Sequence, residues 1–199
     1  MKRLSLMAVV LTTAALAIAA TGAGSAVAYS TTPGVFCSSA PASHECGSSA
    51  YPTGTEIKST LSEKLQFKTT GGTTIMECWG STFNMAVAEK LSNPAATAWT
   101  FQSCSTSFTM LRLAPGELKW IEGTNNGELW NGGELRISFM GLNCYFRPQG
   151  PFEVIGGSSP KIKVKGFAVG LSEGFCPSSA VMSGQYDIST PTPLYVEKP

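Results

Sequence analysis

The sequence has 199 residues, of which 14 are Lys or Arg, 13 are Asp or Glu and one is His. This near balance of charge creates no field that would attract nucleic acid or an anionic membrane as a whole. The six cysteines include no C-x-x-C pair, which argues against a zinc knuckle or a thioredoxin-type redox site. We therefore expect no metal ion and no cofactor.

Residues 1–28 have the features of a secretory signal peptide. Lys2 and Arg3 give a basic start, an apolar run follows, and Ala26-Val27-Ala28 is a small-residue cleavage site. Cleavage after Ala28 predicts a secreted or extracellular protein. No later segment is apolar enough to span a bilayer, so no membrane span is expected in the mature chain.

The six cysteines all follow the predicted cleavage site. An even number of cysteines in an exported chain indicates disulfides, although six cysteines allow 15 pairings. Spacing favours pairing each cysteine with its next neighbour, because each pair then brackets a hairpin-sized or smaller piece. The expected disulfides are Cys37–Cys46, Cys78–Cys104 and Cys144–Cys176.

Residues 29–54 are rich in Ser, Pro, Ala and Gly and are predicted to form an irregular N-terminal arm. From residue 55 to 199, short runs alternate apolar and polar residues, for example at Phe83, Met85 and Val87, or at Ile162 and Val164. This period of two is typical of half-buried antiparallel strands. Gly, Pro and Asn separate the runs, and we interpret these places as turns: Gly71-Gly72, Pro115-Gly116, Asn126-Gly127, Asn131-Gly132-Gly133 and Gly156-Gly157. The pattern predicts an all-β antiparallel β-sandwich, or a flattened barrel, of about nine to eleven strands.

Two segments depart from this simple pattern. Residues 86–91, AVAEKL, are compatible with either a strand or a turn of helix. The C-terminal TPTP cannot join the middle of a sheet, because proline lacks an N–H and holds its predecessor extended. The following Leu194, Tyr195 and Val196 have high β-propensity. We expect a short last strand that pins the C-terminus at a sheet edge.

The segment GLSEG, residues 170–174, matches the G-x-S-x-G pattern of esterases. A catalytic Ser172 would need a helix after the turn and a downstream histidine, as in an esterase triad. Cys176-Pro177 prevents that helix, and the one histidine, His44, lies far upstream. We interpret GLSEG as a turn between strands and His44 as a loop residue, and we predict no catalytic residue in this protein.

Other polar and aromatic residues offer weaker candidates. Glycoside hydrolysis needs a pair of carboxylates. Four glutamates lie close enough in sequence to offer such a pair: Glu117, Glu122, Glu128 and Glu134. Asn125 and Asn126 are better explained by turn chemistry than by calcium binding. Among the four tryptophans, Trp130 beside the Asn131-Gly132-Gly133 turn is expected to be the most exposed, where it could contact a carbohydrate.

Charge is patterned at one place in the mature chain. Lys161, Lys163 and Lys165 share one face of a predicted strand. They could hold an anionic cell-wall polymer, but three lysines among 13 acidic residues make only a weak field at physiological salt. We therefore favour a solvated face whose lysines discourage edge-to-edge pairing of sheets. The candidate ligand contacts of this chain are therefore these three lysines and Trp130.

Several segments together resemble a known group of proteins. They are YPTGTEI (51–57), CWGSTF (78–83), AWTFQSC (98–104), IEGTNNGELW (121–130), SSPKIKV (158–164) and CPSSAVMSGQYDISTPTPLYVE (176–197). In this order the chain resembles a family of small secreted, disulfide-containing actinobacterial proteins of about 200 residues that end in TPTPLYV. The resemblance implies an all-β exported domain and implies no activity or catalytic residue.

These observations favour a secreted, non-enzymatic binding or structural module at the cell surface or outside the cell. Its partner would be a cell-wall polymer or another carbohydrate. The alternative is a secreted hydrolase that acts on polysaccharide through paired glutamates. The two functions differ in one requirement, since the hydrolase needs a cleft with two carboxyl groups roughly 5 to 10 Å apart.

Overall fold

A computed structural model describes residues 28–41, 45–88, 94–130, 132–172 and 174–197. Fourteen strands lie in these ranges: β1 Tyr29–Pro33, β2 Phe36–Cys37, β3 Glu56–Thr69, β4 Thr74–Ala86, β5 Ala95–Cys104, β6 Phe108–Arg112, β7 Glu117–Ile121, β8 Gly127–Trp130, β9 Glu134–Phe139, β10 Leu142–Gln149, β11 Pro151–Ile155, β12 Lys161–Gly170, β13 Ser179–Thr190 and β14 Tyr195–Val196. The fold is all-β, as the alternation predicted. The described chain has three strands more than the upper limit of eleven that the sequence predicted.

The main sheet is antiparallel, and six of its ladders join strands that follow one another along the chain. β3, β4 and β5 form consecutive ladders, the hairpins β7–β8, β9–β10 and β11–β12 follow, and β13 pairs with both β12 and β3. The pairing of β13 with β3 brings the two ends of the sheet, at β5 and β6, towards each other in a nearly closed, flattened barrel. In the described part of the chain, β5 and β6 are consecutive long strands that share no ladder.

The interior is filled by the inward side chains that the alternation identified. Phe83, Met85, Ile162 and Val164 are all buried, and their sequence neighbours on the strands are less so. Aromatic rings at its centre meet edge to face, as between Phe83 and Phe152 with centroids 5.7 Å apart. Side chains thus fill the middle of the barrel, and a ligand would have to bind on its outer surface.

A small polar network lies inside this apolar core. The indole N–H of Trp99 donates to the hydroxyl of Tyr186 over 2.9 Å, and that hydroxyl lies 2.9 Å from the hydroxyl of Ser81. Ser81 also donates to the carbonyl of Thr100 over 2.6 Å. Burial raises the pKa of Tyr186 to about 12, against the smaller lowering effect of its two hydrogen bonds. The network ties β13 to β4 and β5 across the barrel.

Three disulfides staple the sheet. They join Cys37 to Cys46, Cys78 to Cys104 and Cys144 to Cys176, which is the pairing that the cysteine order predicted. The second joins directly opposite residues of β4 and β5. The third joins β10 to the loop before β13.

The two termini of the described chain meet on one side of the barrel. β14 pairs with β2, and the backbone N–H of Cys46 donates to the Glu197 carboxylate over 2.8 Å. The predicted last strand is therefore present, but its partner is the N-terminal arm and not an edge of the main sheet. The arm itself contains β1, which pairs with β7, and a short 3-10 helix at Gly47–Ser49.

Helical structure plays almost no part in the described ranges. None of their helices is long and apolar enough to cross a membrane. In the ambiguous segment 86–91, Ala86 ends β4, and residues 87 and 88 are irregular. Residues 89–91, most of the predicted signal peptide (1–27) and His44 lie outside the described residues.

Candidate functional site

The esterase-like serine lies in a structural loop. Ser172 follows β12, and its hydroxyl oxygen accepts a hydrogen bond from the Tyr145 N–H over 2.8 Å. The neighbouring Leu171 N–H donates to the Tyr145 carbonyl over 2.7 Å. Asp187, the one aspartate, is 3.6 Å from Lys161 on β12. The interpretation of GLSEG as a turn between strands is correct, and Ser172 holds that turn against β10.

The three lysines of β12 point to the outer face among acidic residues. Lys161 lies 3.6 Å from Asp187, and Lys165 forms an ion pair with Glu153 on β11. Lys163 lies directly between Glu153 and Gln185 in the strand register. Acidic neighbours thus offset much of the positive charge, which favours the solvated-face interpretation over a polymer-binding stripe.

The tryptophans are placed differently from the prediction. Trp79 on β4 is the exposed one, with 59% of its surface accessible, whereas Trp130 is only half-buried. Trp99 and Trp120 are in the core, as expected. The prediction that Trp130 is the most exposed tryptophan is therefore wrong. Its position is nevertheless the more interesting one, because it lines a cavity.

The cavity lies where the sheet ladder is interrupted. β10 and β11 pair with β12 in one continuous register, with Gln149 opposite Phe167 and Phe152 opposite Val164. They are in effect one long strand broken at Gly150. β8 and β9 form a second such strand, interrupted after Trp130 and resumed at Glu134, and β6 and β7 a third, interrupted at 113–116. The three breaks lie side by side, and we call this line the ladder break.

Backbone chemistry explains why the ladder fails there. Pro115, Pro148 and Pro151 lack the N–H that a ladder needs. Gly150 has φ 102°, a left-handed conformation that a side chain would strain. Gly116 also favours glycine, since a Cβ there would collide with a methyl carbon of the buried Leu129 unless that side chain moved. The ladder break is thus written into the sequence as prolines and glycines on neighbouring strands.

A cavity of about 420 Å³ opens along the ladder break. This volume is within the range of about 300 to 1,000 Å³ typical of small-molecule sites. Its described lining combines two aromatic rings, three polar side chains and a backbone-rich floor: Trp130 and Phe167; Glu117, Arg147 and Gln149; Pro115, Gly116, Gly132, Pro148 and Gly150. Such a lining suits a neutral or weakly charged ligand that presents both an apolar face and hydroxyl groups.

Trp130 is held firmly at one side of this cavity. The ammonium group of Lys119, which is not among the lining residues, lies 5.5 Å from the centroid of the indole ring. It also lies 3.8 Å from the carboxylate of Glu117, directly across the ladder from Trp130. This cation–π contact and ion pair orient the ring and the carboxylate together.

The indole N–H of Trp130 is buried and has no acceptor among the described residues. An unsatisfied buried donor costs about 1–3 kcal/mol, and native proteins carry few of them. The tryptophan is therefore poorly explained as a packing residue. Phe167, on the other side of the cavity, is 50% exposed and presents its ring to that space.

The four glutamates singled out by the sequence do not converge on this cavity. Glu117 lines it, and Glu128 lies diagonally across the ladder from Glu117 but is only 8% exposed. Glu122 lies in the turn after β7, and Glu134 on β9 lies opposite Arg112 of β6 in the strand register. Asn125 accepts from Val196 N–H through its carbonyl, and Asn126 accepts from Gly156 N–H through its side chain, as turn residues.

Sequence reasoning missed most of the cavity. Arg147, Gln149 and Phe167 were not recognised, because the first two belong to the ordinary strand sequence of β10 and the third to that of β12. The closely spaced prolines and glycine of RPQGP (147–151) were the one available signal. Within the described ranges, no cluster of three or more His, Cys, Asp or Glu could hold a metal ion.

Comparison with family models, curated proteins and solved structures finds no match for this chain.

Proposed function

We propose that the mature chain is an exported, non-enzymatic module that binds a carbohydrate in the cavity at the ladder break. The observation that carries the proposal is the pairing of a half-buried Trp130 with a half-exposed Phe167 in one cavity of about 420 Å³. Aromatic faces pack against the apolar C–H faces of sugar rings, while Glu117, Arg147 and Gln149 can bond hydroxyl groups. A cell-wall polymer is the expected source of such a sugar.

Export is part of the proposal. Three disulfides are compatible with an oxidising, extracellular environment. Cleavage after Ala28 would leave Tyr29, the first residue of β1, as the new N-terminus. The mature chain would thus start directly in a strand. Membership in the secreted actinobacterial family belongs to the same proposal and is supported by the quoted sequence segments.

The decisive experiment is a glycan and cell-wall polymer array followed by calorimetry on the ligand found. Trp130→Ala should weaken binding by about two- to tenfold, because ring stacking contributes on the order of 0.5–1.5 kcal/mol. Trp79→Ala is the matched control, since it removes an exposed tryptophan from β4, outside the cavity lining. Equal losses in both variants, or wild-type protein that binds no glycan, would contradict the proposal.

A hydrolase is the second candidate, because one carboxylate does line the cavity. Glu117 and Glu128 are diagonal neighbours in an antiparallel pair, whose side chains start about 7–8 Å apart. That spacing suits paired carboxylates, but Glu128 is buried and Lys119 lies beside Glu117. Release of reducing ends from a bound polymer, abolished by Glu117→Gln, would establish the hydrolase in place of the binding module.

A further inference from the structure

Two loops at one end of the barrel are fixed side by side. They are the turn between β9 and β10 and the loop between β12 and β13. Cys144 of β10 is bonded to Cys176 of the second loop, and Leu171 N–H donates to the Tyr145 carbonyl over 2.7 Å. Tyr145 N–H donates to Ser172 Oγ over 2.8 Å. The second loop is therefore fixed against β10, so both loops lie at the same end of the barrel.

The surface of these two loops is apolar and strongly exposed. Phe175 is 90% exposed and Met140 is 84% exposed, the two highest values among the exposed large hydrophobic residues of the described chain. Leu142 and Leu171 are exposed on the same two loops. We call these four residues the apolar tip: Met140, Leu142, Leu171 and Phe175.

The turn at Met140 shows that this exposure is not a by-product of turn formation. Met140 and Gly141 have φ 51° and φ 80°, so both central residues of a two-residue hairpin turn are left-handed. Such a turn favours Asn, Asp or Gly at its first central position, since a larger side chain is strained there. A methionine at this position opposes local stability, and its apolar side chain points to another use.

Charge is nearly absent around the apolar tip. Residues 137–146 and 166–180 contain a single Asp, Glu, Lys, Arg or His, which is Glu173. A protein-binding surface usually has a polar and charged rim around its apolar centre. Both segments are instead almost free of charge, which suits a partner that is itself apolar.

The size of the tip also limits the kind of partner. Taking about 200 Å² for a large apolar side chain, the four residues expose on the order of 500 Å². A stable protein–protein interface buries about 800 Å² on each partner. The four side chains alone fall short of that area, whereas exposed apolar side chains can insert into a bilayer interface in small number.

We propose that the apolar tip docks the protein onto a lipid bilayer by inserting Phe175 and Met140 between the headgroups. This surface lies on different residues from the cavity at the ladder break and does not depend on carbohydrate binding. Because Glu173 is the sole charge of both segments, docking is driven by the apolar side chains. It should therefore require neither anionic lipid nor low salt.

The test is co-sedimentation of the mature, disulfide-intact protein with phosphatidylcholine vesicles. Met140→Ser/Phe175→Ser should lower the partition coefficient roughly 100-fold, since each side chain contributes about tenfold. The matched control, Trp79→Ser/Leu111→Ser, removes two apolar residues that are 59% and 46% exposed on β4 and β6. The control should bind vesicles as the wild type does, and circular dichroism should show both variants folded.

Four results would overturn the proposal. They are wild-type protein that stays in the supernatant, a tip variant that still binds, a control that loses binding equally, and binding that vanishes in high salt or without anionic lipid. Gel filtration adds a fifth, in which the wild type is a dimer that the tip variant converts to a monomer. Glycan binding measured on the same variants keeps this test separate from that of the cavity.

Discussion

Removal of one core hydroxyl, in Tyr186→Phe, should destabilise the protein measurably. Tyr186 is fully enclosed, and its oxygen accepts the indole N–H of Trp99 over 2.9 Å. After the substitution that N–H has no acceptor, whereas Ser81 keeps its bond to the Thr100 carbonyl. The loss is thus one unsatisfied buried donor, which costs about 1–3 kcal/mol. Since small domains are stable by only about 5–15 kcal/mol, this is a large fraction.

Equilibrium urea unfolding at neutral pH measures the change, with far-ultraviolet circular dichroism as the signal. Tyr145→Phe serves as the control, because it removes a hydroxyl from a half-buried ring of β10, outside the core network. The control should stay within about 0.5 kcal/mol of the wild type. If Tyr186→Phe also stays within that limit, the hydrogen bond between β5 and β13 contributes nothing and the account of the core network fails.

Three further predictions concern pH, cross-linking and the cavity. Because the pKa of Tyr186 is raised to about 12 from 10.0, the unfolded chain loses its proton first as pH rises, so stability should fall between pH 10 and 12 by about 3 kcal/mol. In Tyr186→Phe, the free energy of unfolding measured by urea at each pH should fall less over this range, because the titrating hydroxyl is absent. Replacing Cys78 and Cys104 by Ala should cost about 3.5 kcal/mol for a loop of 26 residues, measured by urea unfolding; no change would show that the bridge adds nothing. Gly150→Ala should cost about 1–3 kcal/mol through its φ of 102° and should weaken glycan binding; full stability and binding would refute the role of the ladder break.

The alternation of apolar residues was sufficient to predict the fold class. Along β4, Phe83 and Met85 point inward, as the period of two requires. Counting back by two from Phe83 also places Ser81 inward correctly, but it would place Trp79 there too. The structure instead buries Cys78, because the ladder between β3 and β4 shifts register between Thr60 and Leu65. A β-bulge of this kind changes which face a residue occupies, and nothing in the local sequence marks it.

Glycine and proline gave a correct signal with two different meanings. Gly71-Gly72 does end β3 and begin a turn, as predicted. Pro115-Gly116 and Gly132-Gly133 were interpreted in the same way, but they interrupt long strands without reversing the chain. Conversely, the real hairpin turn at Met140-Gly141 was missed, because methionine is not a turn residue. A dipeptide shows that the ladder stops, and only the pairing of the flanking segments shows whether the chain then turns.

The location of the cavity follows from this ambiguity. A single interruption in a sheet leaves a local bulge that neighbouring strands cover. Here three interruptions fall in register, so no neighbouring strand covers them and a cavity opens between Trp130 and Phe167. These two residues are 37 positions apart in sequence. The registers of the β8–β11 and β11–β12 ladders bring their side chains to the same cavity. A shift of one residue in either ladder would turn one ring to the opposite face of the sheet. The site is thus a property of strand register, which a single sequence does not reveal, and variants that move the register should abolish glycan binding while leaving the β-strand content unchanged.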